Sequence, residues 1–189
     1  MLYSQRQSKL KPGEGRNGKN VNSSGKSIVL GIDPGSRCTG YGIVKEVSGT
    51  LSLIKAGTIR LDSISDMSRR LAKIFADISA LISELGPDEA AVEEIFTAKN
   101  SSSALKLGQA RGAVIVACAH NNIPVYSYEP TMVKKSIVGV GRAAKEQVAF
   151  MVARLLNSRE VWSKDASDAL AVAVTHLNQR RITRLRGWK

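Results

Sequence analysis

The sequence predicts an α/β fold with one mixed five-stranded sheet, its first three strands antiparallel, flanked by helices. Three observations predict it. Three strand-like segments lie close together in the first third of the chain, and a long amphipathic helix follows them. After that helix, strand-like and helical segments alternate, which is typical of α/β sheets.

The first three strands are predicted at residues 27–33, 39–46 and 51–59. The first is a nearly continuous apolar run, as expected of a strand covered on both faces. Ser48 and Gly49, between the second and third strands, indicate a hairpin turn. Strands joined by such short turns run antiparallel, so these segments are expected to form a meander.

An amphipathic helix is predicted next, from about residue 67 to residue 85. Gly86 and Pro87 end it. Its apolar residues recur at helical spacing and form one continuous face: Met67, Leu71, Ile74, Phe75, Ile78, Leu81, Ile82 and Leu85.

Two further strands are predicted at residues 89–95 and 123–130, with a helix at 101–121 between them. Gly108 and Gly112 lie four residues apart in that helix and therefore on one side of it. Because glycine in a helix interior is unfavourable by ~1 kcal/mol relative to alanine, a packing reason is expected. We interpret the pair as a place where another helix approaches closely.

The remainder of the chain is predicted to be helical around one flexible loop. The elements are a short helix at 131–137, the loop at 138–143, a helix at 144–157 and a final helix at 165–179.

Positive charge is concentrated at the two ends of the chain, whose formal net charge is +12. Residues 1–26 carry six Lys or Arg and one Glu, and residues 180–189 carry five Lys or Arg and no acid. We expect a disordered basic N-terminal extension at 1–26, one folded domain at 27–179 and a basic tail at 180–189. Basic ends on a balanced body favour a polyanionic partner, nucleic acid first; tails that only aid solubility are the alternative.

Composition disfavours membrane and secreted proteins. No apolar stretch approaches the ~20 residues needed to span a bilayer, and no N-terminal hydrophobic segment resembles a signal peptide. Cys38 and Cys118 lack the spacing of a zinc site and are interpreted as reduced, semi-buried thiols. We therefore expect a soluble, cytoplasmic protein without structural disulfides.

Acidic residues stand at three places in the chain where a charge needs compensation. Asp33 ends the first, buried strand. Glu93 and Glu94 lie in the fourth strand on opposite faces, so only one can meet Asp33, and the apolar alternation does not decide which. Asp165 and Asp168 are three residues apart at the start of the last helix and share one face.

Helix capping is the alternative interpretation of an acid such as Asp165. Capping does not account for the strand acids, and carboxylates meeting on one side of a sheet repel each other unless a cation holds them. Oxygen-only ligands suit Mg²⁺ or Mn²⁺. Two such ions in a carboxylate cluster catalyse phosphodiester hydrolysis.

The two histidines, His120 and His176, are interpreted as structural or solvated. His176 follows Asp165 by 11 residues, which places it ~16 Å further along the helix axis. It therefore cannot share a metal ion with Asp165.

Four blocks of the sequence resemble the signature blocks of the RuvC family, the bacterial Holliday junction resolvases. They are "LGIDPGSRCTGYGIV", "VEEIFTAKNSSSALKLGQARG", "VKKSIVGVGRAAKEQV" and "DASDALAVAVTH", in order across residues 28–178. The resemblance implies an RNase H-like nuclease domain and Mg²⁺-dependent, symmetric nicking of opposed strands of four-way DNA junctions in recombination and repair. It also implies a homodimer and cooperation with the RuvAB branch-migration complex.

The resemblance assigns the four catalytic and metal-binding acids to Asp33, Glu93, Asp165 and Asp168. It selects Glu93 because the family's acid stands three residues before the aromatic of "VEEIF". Two Mg²⁺ ions per active site are implied, and Mn²⁺ is expected to substitute.

The resemblance also suggests residues that contact DNA. Phe96 matches an aromatic placed near the junction's bases, and core packing is its alternative. Lys134 and Lys145 match lysines of the family's DNA-binding surface, for which a solvated face is the alternative. Arg142, in the predicted flexible loop, is a further candidate for binding phosphate.

The helix at 101–121 resembles the family's dimerisation helix. The long basic N-terminal extension and the basic C-terminal tail depart from the family pattern, and nonspecific DNA affinity is the only role assigned to them. Two other functions are considered: a non-catalytic junction-binding protein and a nuclease for RNA–DNA hybrids. All four acids are retained, which disfavours the first, and the "TAKN" and "KLGQARG" blocks disfavour the second.

Overall fold

A computed structural model describes residues 25–95 and 100–185. The strands are β1 (Lys26–Asp33), β2 (Cys38–Val47), β3 (Thr50–Arg60), β4 (Glu89–Glu93) and β5 (Val125–Tyr128). The helices are α1 (Met67–Leu85), α2 (Ser101–His120), α3 (Pro130–Val138), α4 (Lys145–Leu155) and α5 (Lys164–Leu185).

The five strands form one mixed sheet in the order β3-β2-β1-β4-β5. β1, β2 and β3 pair antiparallel, whereas β4 and β5 run parallel to β1. Ser48 and Gly49 link β2 to β3 with φ angles of 50° and 86°, which are the left-handed values of a type I′ hairpin turn. The predicted mixed sheet and antiparallel meander are therefore confirmed.

Helices cover both faces of the sheet because successive strand residues point to opposite sides. Leu30 and Ile32 of β1 pack with α1 and α2 in one apolar core. Val29 packs on the other face with α5, over which α3 and α4 lie. The continuous apolar run of β1 thus reflects burial on both sides.

The N-terminal half of α5 lies unusually close to the sheet. A Cβ atom added at Gly31 would lie 2.1 Å from the carbonyl oxygen of Ala169, and one added at Gly40 would lie 2.0 Å from that of Asp165. Both distances are far inside van der Waals contact. Glycine at these two positions therefore lets the start of α5 reach the end of β1.

Two details differ from the sequence-based prediction. The last helix continues to Leu185 instead of ending at 179, so residues 180–185 are helical. Its end is anchored because Arg180 forms an ion pair with Glu89 at 2.9 Å. Residues 1–24 and 186–189 lie outside the described ranges, and the division into extension, domain and tail stays a prediction.

The second difference concerns Gly108 and Gly112. No atom lies within 4 Å of a Cβ added at either position, so no helix of the described part of this chain packs on them. α2 instead contacts the core through its opposite side, where Ala110, Val114 and Ala117 are buried. Within residues 25–95 and 100–185, no helix combines the length and apolarity needed to cross a membrane.

Candidate active site

The strand register brings Asp33 and Glu93 together. Ile32 pairs with Val92 across β1 and β4, and both side chains pack on the face covered by α1 and α2. The next residue on each strand therefore faces α5. Glu93 rather than Glu94 is consequently the acid that shares a face with Asp33, the choice that alternation alone had left open.

Asp33 lies in the centre of an acidic cluster, which it forms with Glu93, Asp165 and Asp168. Burial, the adjacent Glu93 and the charges of Asp168 and Asp165 together raise the pKa of Asp33 from 3.8 to about 8. All three segments that carry predicted acids thus contribute to one electrostatic site. Near neutral pH, Asp33 retains a proton unless a cation offsets its neighbours.

Two lysines border this acidic cluster. Burial and the charge of Asp168 raise the pKa of Glu93, whereas its hydrogen bond with Asp33 and the charges of Lys145 and Lys134 oppose that rise. Lys145 Nζ donates to Asp168 Oδ2 at 2.5 Å. This hydrogen bond is the main reason why the pKa of Lys145 is raised. Lys134 of α3 and Lys145 of α4 therefore reach the same site as the acids.

The two α5 acids are not needed as helix caps. The Ser163 hydroxyl accepts the backbone N–H of Ala166 at 3.3 Å, which is the hydrogen bond of an N-cap residue. Asp165 faces Cys38 instead, and burial together with Asp165 raises the pKa of the Cys38 thiol to about 11. Ser163, and not Asp165, is therefore the N-cap residue of α5.

The loop after Asp33 is held by hydrogen bonds to three consecutive carbonyl groups. The Thr39 hydroxyl donates to Gly35 O at 3.0 Å, and Leu61 N donates to Arg37 O at 3.0 Å. Between them, Arg70 Nη1 donates to Ser36 O at 2.9 Å. The chain immediately after the central carboxylate is therefore fixed in place from two sides.

Cys38 and Arg70 also lie near the acids, although Cys38 was predicted only as a semi-buried thiol and Arg70 was not predicted. The one sequence signal for Cys38 is that it lies two residues before Gly40 on the same strand and therefore shares its face. Arg70 donates to main-chain carbonyl groups. Because every residue has such a group, these hydrogen bonds leave no pattern of residue types in the sequence.

The other predicted residues fall in different surroundings. Arg142 is exposed in the turn between α3 and α4, and Phe96 lies outside the described residues. His120 is exposed and its ring contacts that of Phe75 at a tilt of 56°, with ring centroids 5.5 Å apart. His176 is buried, so the interpretation of both histidines as structural or solvated is confirmed.

The donor set of the acidic cluster fits a hard divalent cation. It offers carboxylate oxygens from three separate chain segments, and their mutual repulsion is what a cation would relieve. Among the described residues, no three or more His, Cys, Asp or Glu side chains are already close enough together to hold a metal ion. Asp168 is engaged by Lys145, whereas Asp33 and Glu93 face each other.

Comparisons identify known proteins similar to this chain. The family model described as crossover junction endodeoxyribonuclease RuvC matches residues 29–176. The crossover junction endodeoxyribonuclease RuvC of Solidesulfovibrio magneticus is 57% identical over 165 residues, which are 87% of this chain and 98% of that protein. Its counterpart in Oleidesulfovibrio alaskensis is 59% identical over 157 residues, 83% of this chain and 94% of that protein. The structure of Thermus thermophilus RuvC in complex with a Holliday junction substrate has 36% identity and a TM-score of 0.78, covering 82% of this chain and 96% of that one.

Proposed function

Because this chain belongs to the RuvC family of crossover junction endodeoxyribonucleases, we propose that it resolves Holliday junctions by nicking two opposed DNA strands symmetrically during recombination and repair. Its fold is the RNase H-like fold of that family. One observation carries the proposal: carboxylates from β1, β4 and α5 form one acidic cluster. A cluster of this kind beside lysines suits chemistry on a phosphodiester.

Asp33, Glu93, Asp165 and Asp168 would hold two Mg²⁺ ions, with Mn²⁺ as a substitute. When bound, such ions activate a water molecule and stabilise the leaving oxygen. The protein's own part is to supply ionised carboxylates at fixed positions, which requires Asp33 to lose the proton that its neighbours favour. The hydrogen bonds to the carbonyl groups of residues 35–37 hold the main chain that follows Asp33.

Lys145 and Lys134 would bind the phosphates next to the scissile bond. Lys145 has a side chain that is 61% exposed even while it pairs with Asp168, so it can reach a DNA strand at the edge of the site. Arg142 projects from the neighbouring turn as a further phosphate contact. Phe96, which follows β4 in the chain, would contact junction bases.

A homodimer through α2 would present two active sites to a two-fold junction. Leu105 and Val116 on this helix are 65% and 58% exposed. Gly108 and Gly112 leave open space beside them, as close approach of a second copy requires. Cooperation with the RuvAB complex and a cytoplasmic location complete the proposed role.

The direct test is strand nicking of a synthetic four-way junction, compared with a linear duplex and an RNA–DNA hybrid. We expect cleavage of the junction with Mg²⁺ and none with EDTA. Faster cleavage of the hybrid than of the junction would favour a nuclease that acts on RNA–DNA hybrids. Binding of the junction without any cleavage would favour a non-catalytic binding protein.

Asp33→Asn is expected to abolish nicking while junction binding stays within about twofold, because the substitution removes a metal-binding charge but no phosphate contact. Asp62→Asn, at an exposed position in the turn after β3, is the matched control and is expected to cleave normally. Electrophoretic mobility shift and single-turnover cleavage measure the two properties separately. Normal cleavage by Asp33→Asn would refute the assignment of this acid.

A further inference from the structure

A buried hydrogen-bond network joins α5 to the sheet at the end of their contact that is distant from the acidic cluster. His176 of α5, only 1% exposed, forms two hydrogen bonds of 2.7 Å, one between Nδ1 and the Tyr128 hydroxyl and one between Nε2 and Glu89 Oε2. Arg180 Nη1 reaches the same Glu89 oxygen at 2.9 Å. Arg180 also donates to the Ser27 hydroxyl of β1. One imidazole thus connects α5 to both β4 and β5.

The chemistry of Glu89 fixes the direction of its hydrogen bond with His176. The His176 hydrogen bond and the Arg180 charge lower the pKa of Glu89 despite its partial burial, so Glu89 is ionised and only accepts. His176 Nε2 therefore donates to Glu89, and Nδ1 pairs with the Tyr128 hydroxyl, which can donate or accept.

The partners of His176 lie on the same elements as the acidic cluster. Glu89 precedes Glu93 by four residues on β4 and faces the same side of the sheet. Tyr128 pairs directly with Glu93 in the β4–β5 register, and its carbonyl oxygen accepts Glu94 N at 2.9 Å. His176 follows Asp168 by eight residues on α5, or about 12 Å along the helix.

The packing of α5 against the sheet is otherwise mostly apolar. Residues 169–177 are all buried, and apart from Thr175 and His176 they are Ala, Leu and Val. Burial of apolar surface is non-directional, whereas hydrogen bonds are directional. Among the described residues, His176 is the one side chain of this segment that hydrogen-bonds to the sheet.

We infer that His176 is a positioning residue: by tying α5 to Glu89 and Tyr128, it sets the axial position of α5 and hence the separation of Asp165 and Asp168 from Glu93. This inference rests on the proposed function, since the separation matters only if these acids share metal ions. His176 contacts no reacting group itself.

Three substitutions test this role. His176→Leu keeps the bulk and removes both hydrogen bonds. His176→Gln keeps an amide donor for Glu89, and Tyr128→Phe removes a single hydroxyl. For His176→Leu we expect the half-saturating Mg²⁺ concentration to rise and the single-turnover cleavage rate to fall, each by roughly tenfold or more, since small misplacements of catalytic groups are costly. The other two variants are expected to lie between His176→Leu and the wild type.

Junction affinity measured without Mg²⁺ is expected to stay within about twofold in all three variants, because no phosphate contact is altered. Ile78→Val, in the core on the opposite face, controls for lost stability: its Tm should fall while its Mg²⁺ response stays that of the wild type. A His176→Leu protein that loses Tm but keeps the wild-type Mg²⁺ response and cleavage rate would overturn the inference.

Calorimetric titration of Mg²⁺ onto the free proteins separates this inference from the proposed function. A wild-type protein that binds Mg²⁺ but cuts no junction would contradict the proposed function. In that case, weaker Mg²⁺ binding by His176→Leu would still support the positioning role, and unchanged binding would refute it.

Discussion

At the scale of single residues, Asp33 shows the conflict between stability and function most clearly. Its carboxylate is placed beside three others, and burial with their charges raises its pKa to about 8. A structure selected for stability alone would not put four acids together, because ionising them is unfavourable without a cation. The unfavourable charge is therefore the property that suits this site to bind metal ions.

This conflict predicts how stability depends on pH in metal-free buffer. The folded protein holds a proton on Asp33 up to about pH 8, whereas the unfolded chain loses it near 3.8. Folding therefore takes up a proton between these values, and stability falls as pH rises through this range. Above about pH 8, the stabilisation that the protonated Asp33 provides is completely lost.

Asp33→Asn removes this proton uptake. In EDTA at pH 8, we expect the variant to be more stable than the wild type by about 2 kcal/mol, or roughly 5 °C in Tm. At pH 4 the difference should be small, because much of Asp33 is then protonated in the unfolded wild-type chain as well as in the folded protein. Thermal unfolding across this pH range measures both. Equal stability at pH 8 would show that Asp33 ionises normally.

At the scale of elements, the loop between β1 and β2 is positioned by α1. Arg70 in the first turns of α1 donates to the carbonyl groups of both Ser36 and Ile64. Its neighbour Arg69 is exposed. The two arginines thus share residue type and helix position but differ in their partners.

Arg70→Ala is expected to destabilise the protein by about 1–3 kcal/mol, because two partly buried carbonyl groups lose their donor. Arg69→Ala should change stability by less than about 0.5 kcal/mol. Urea unfolding of the two variants provides the comparison. Equal losses would mean that the Arg70 hydrogen bonds do not hold the loop.

The elements themselves were largely predictable from sequence because apolar periodicity reports local burial. The apolar residues of α1 recur at helical spacing in the sequence, and Ser48-Gly49 marks the hairpin between β2 and β3. The pairing of Asp33 with Glu93 depends on strand register, which joins distant segments and leaves no local signal. The predicted end of α5 at residue 179 was too early because Arg180 appears solvated in sequence, while its partner Glu89 is distant in the chain.

At the scale of the whole molecule, the fold brings acids from three distant segments to one end of the sheet. β1 and β4 supply one acid each because they are parallel neighbours that end at the same edge. α5 supplies two because the glycines beneath it allow it to lie almost on the strands. Residue types indicated this convergence from the sequence, but the contribution of His176, Glu89 and Tyr128 to α5 required the packed structure.

The most direct test of the central claim is anomalous scattering from crystals of the protein soaked in Mn²⁺. We predict an anomalous peak between β1, β4 and the start of α5, with carboxylate oxygens of Asp33, Glu93 and at least one α5 acid at about 2.0–2.3 Å and Asp168 released from Lys145. Crystals of Asp33→Asn should lack or weaken that peak. A wild-type map with no Mn²⁺ at these four acids, or with Mn²⁺ bound only elsewhere, would contradict the account.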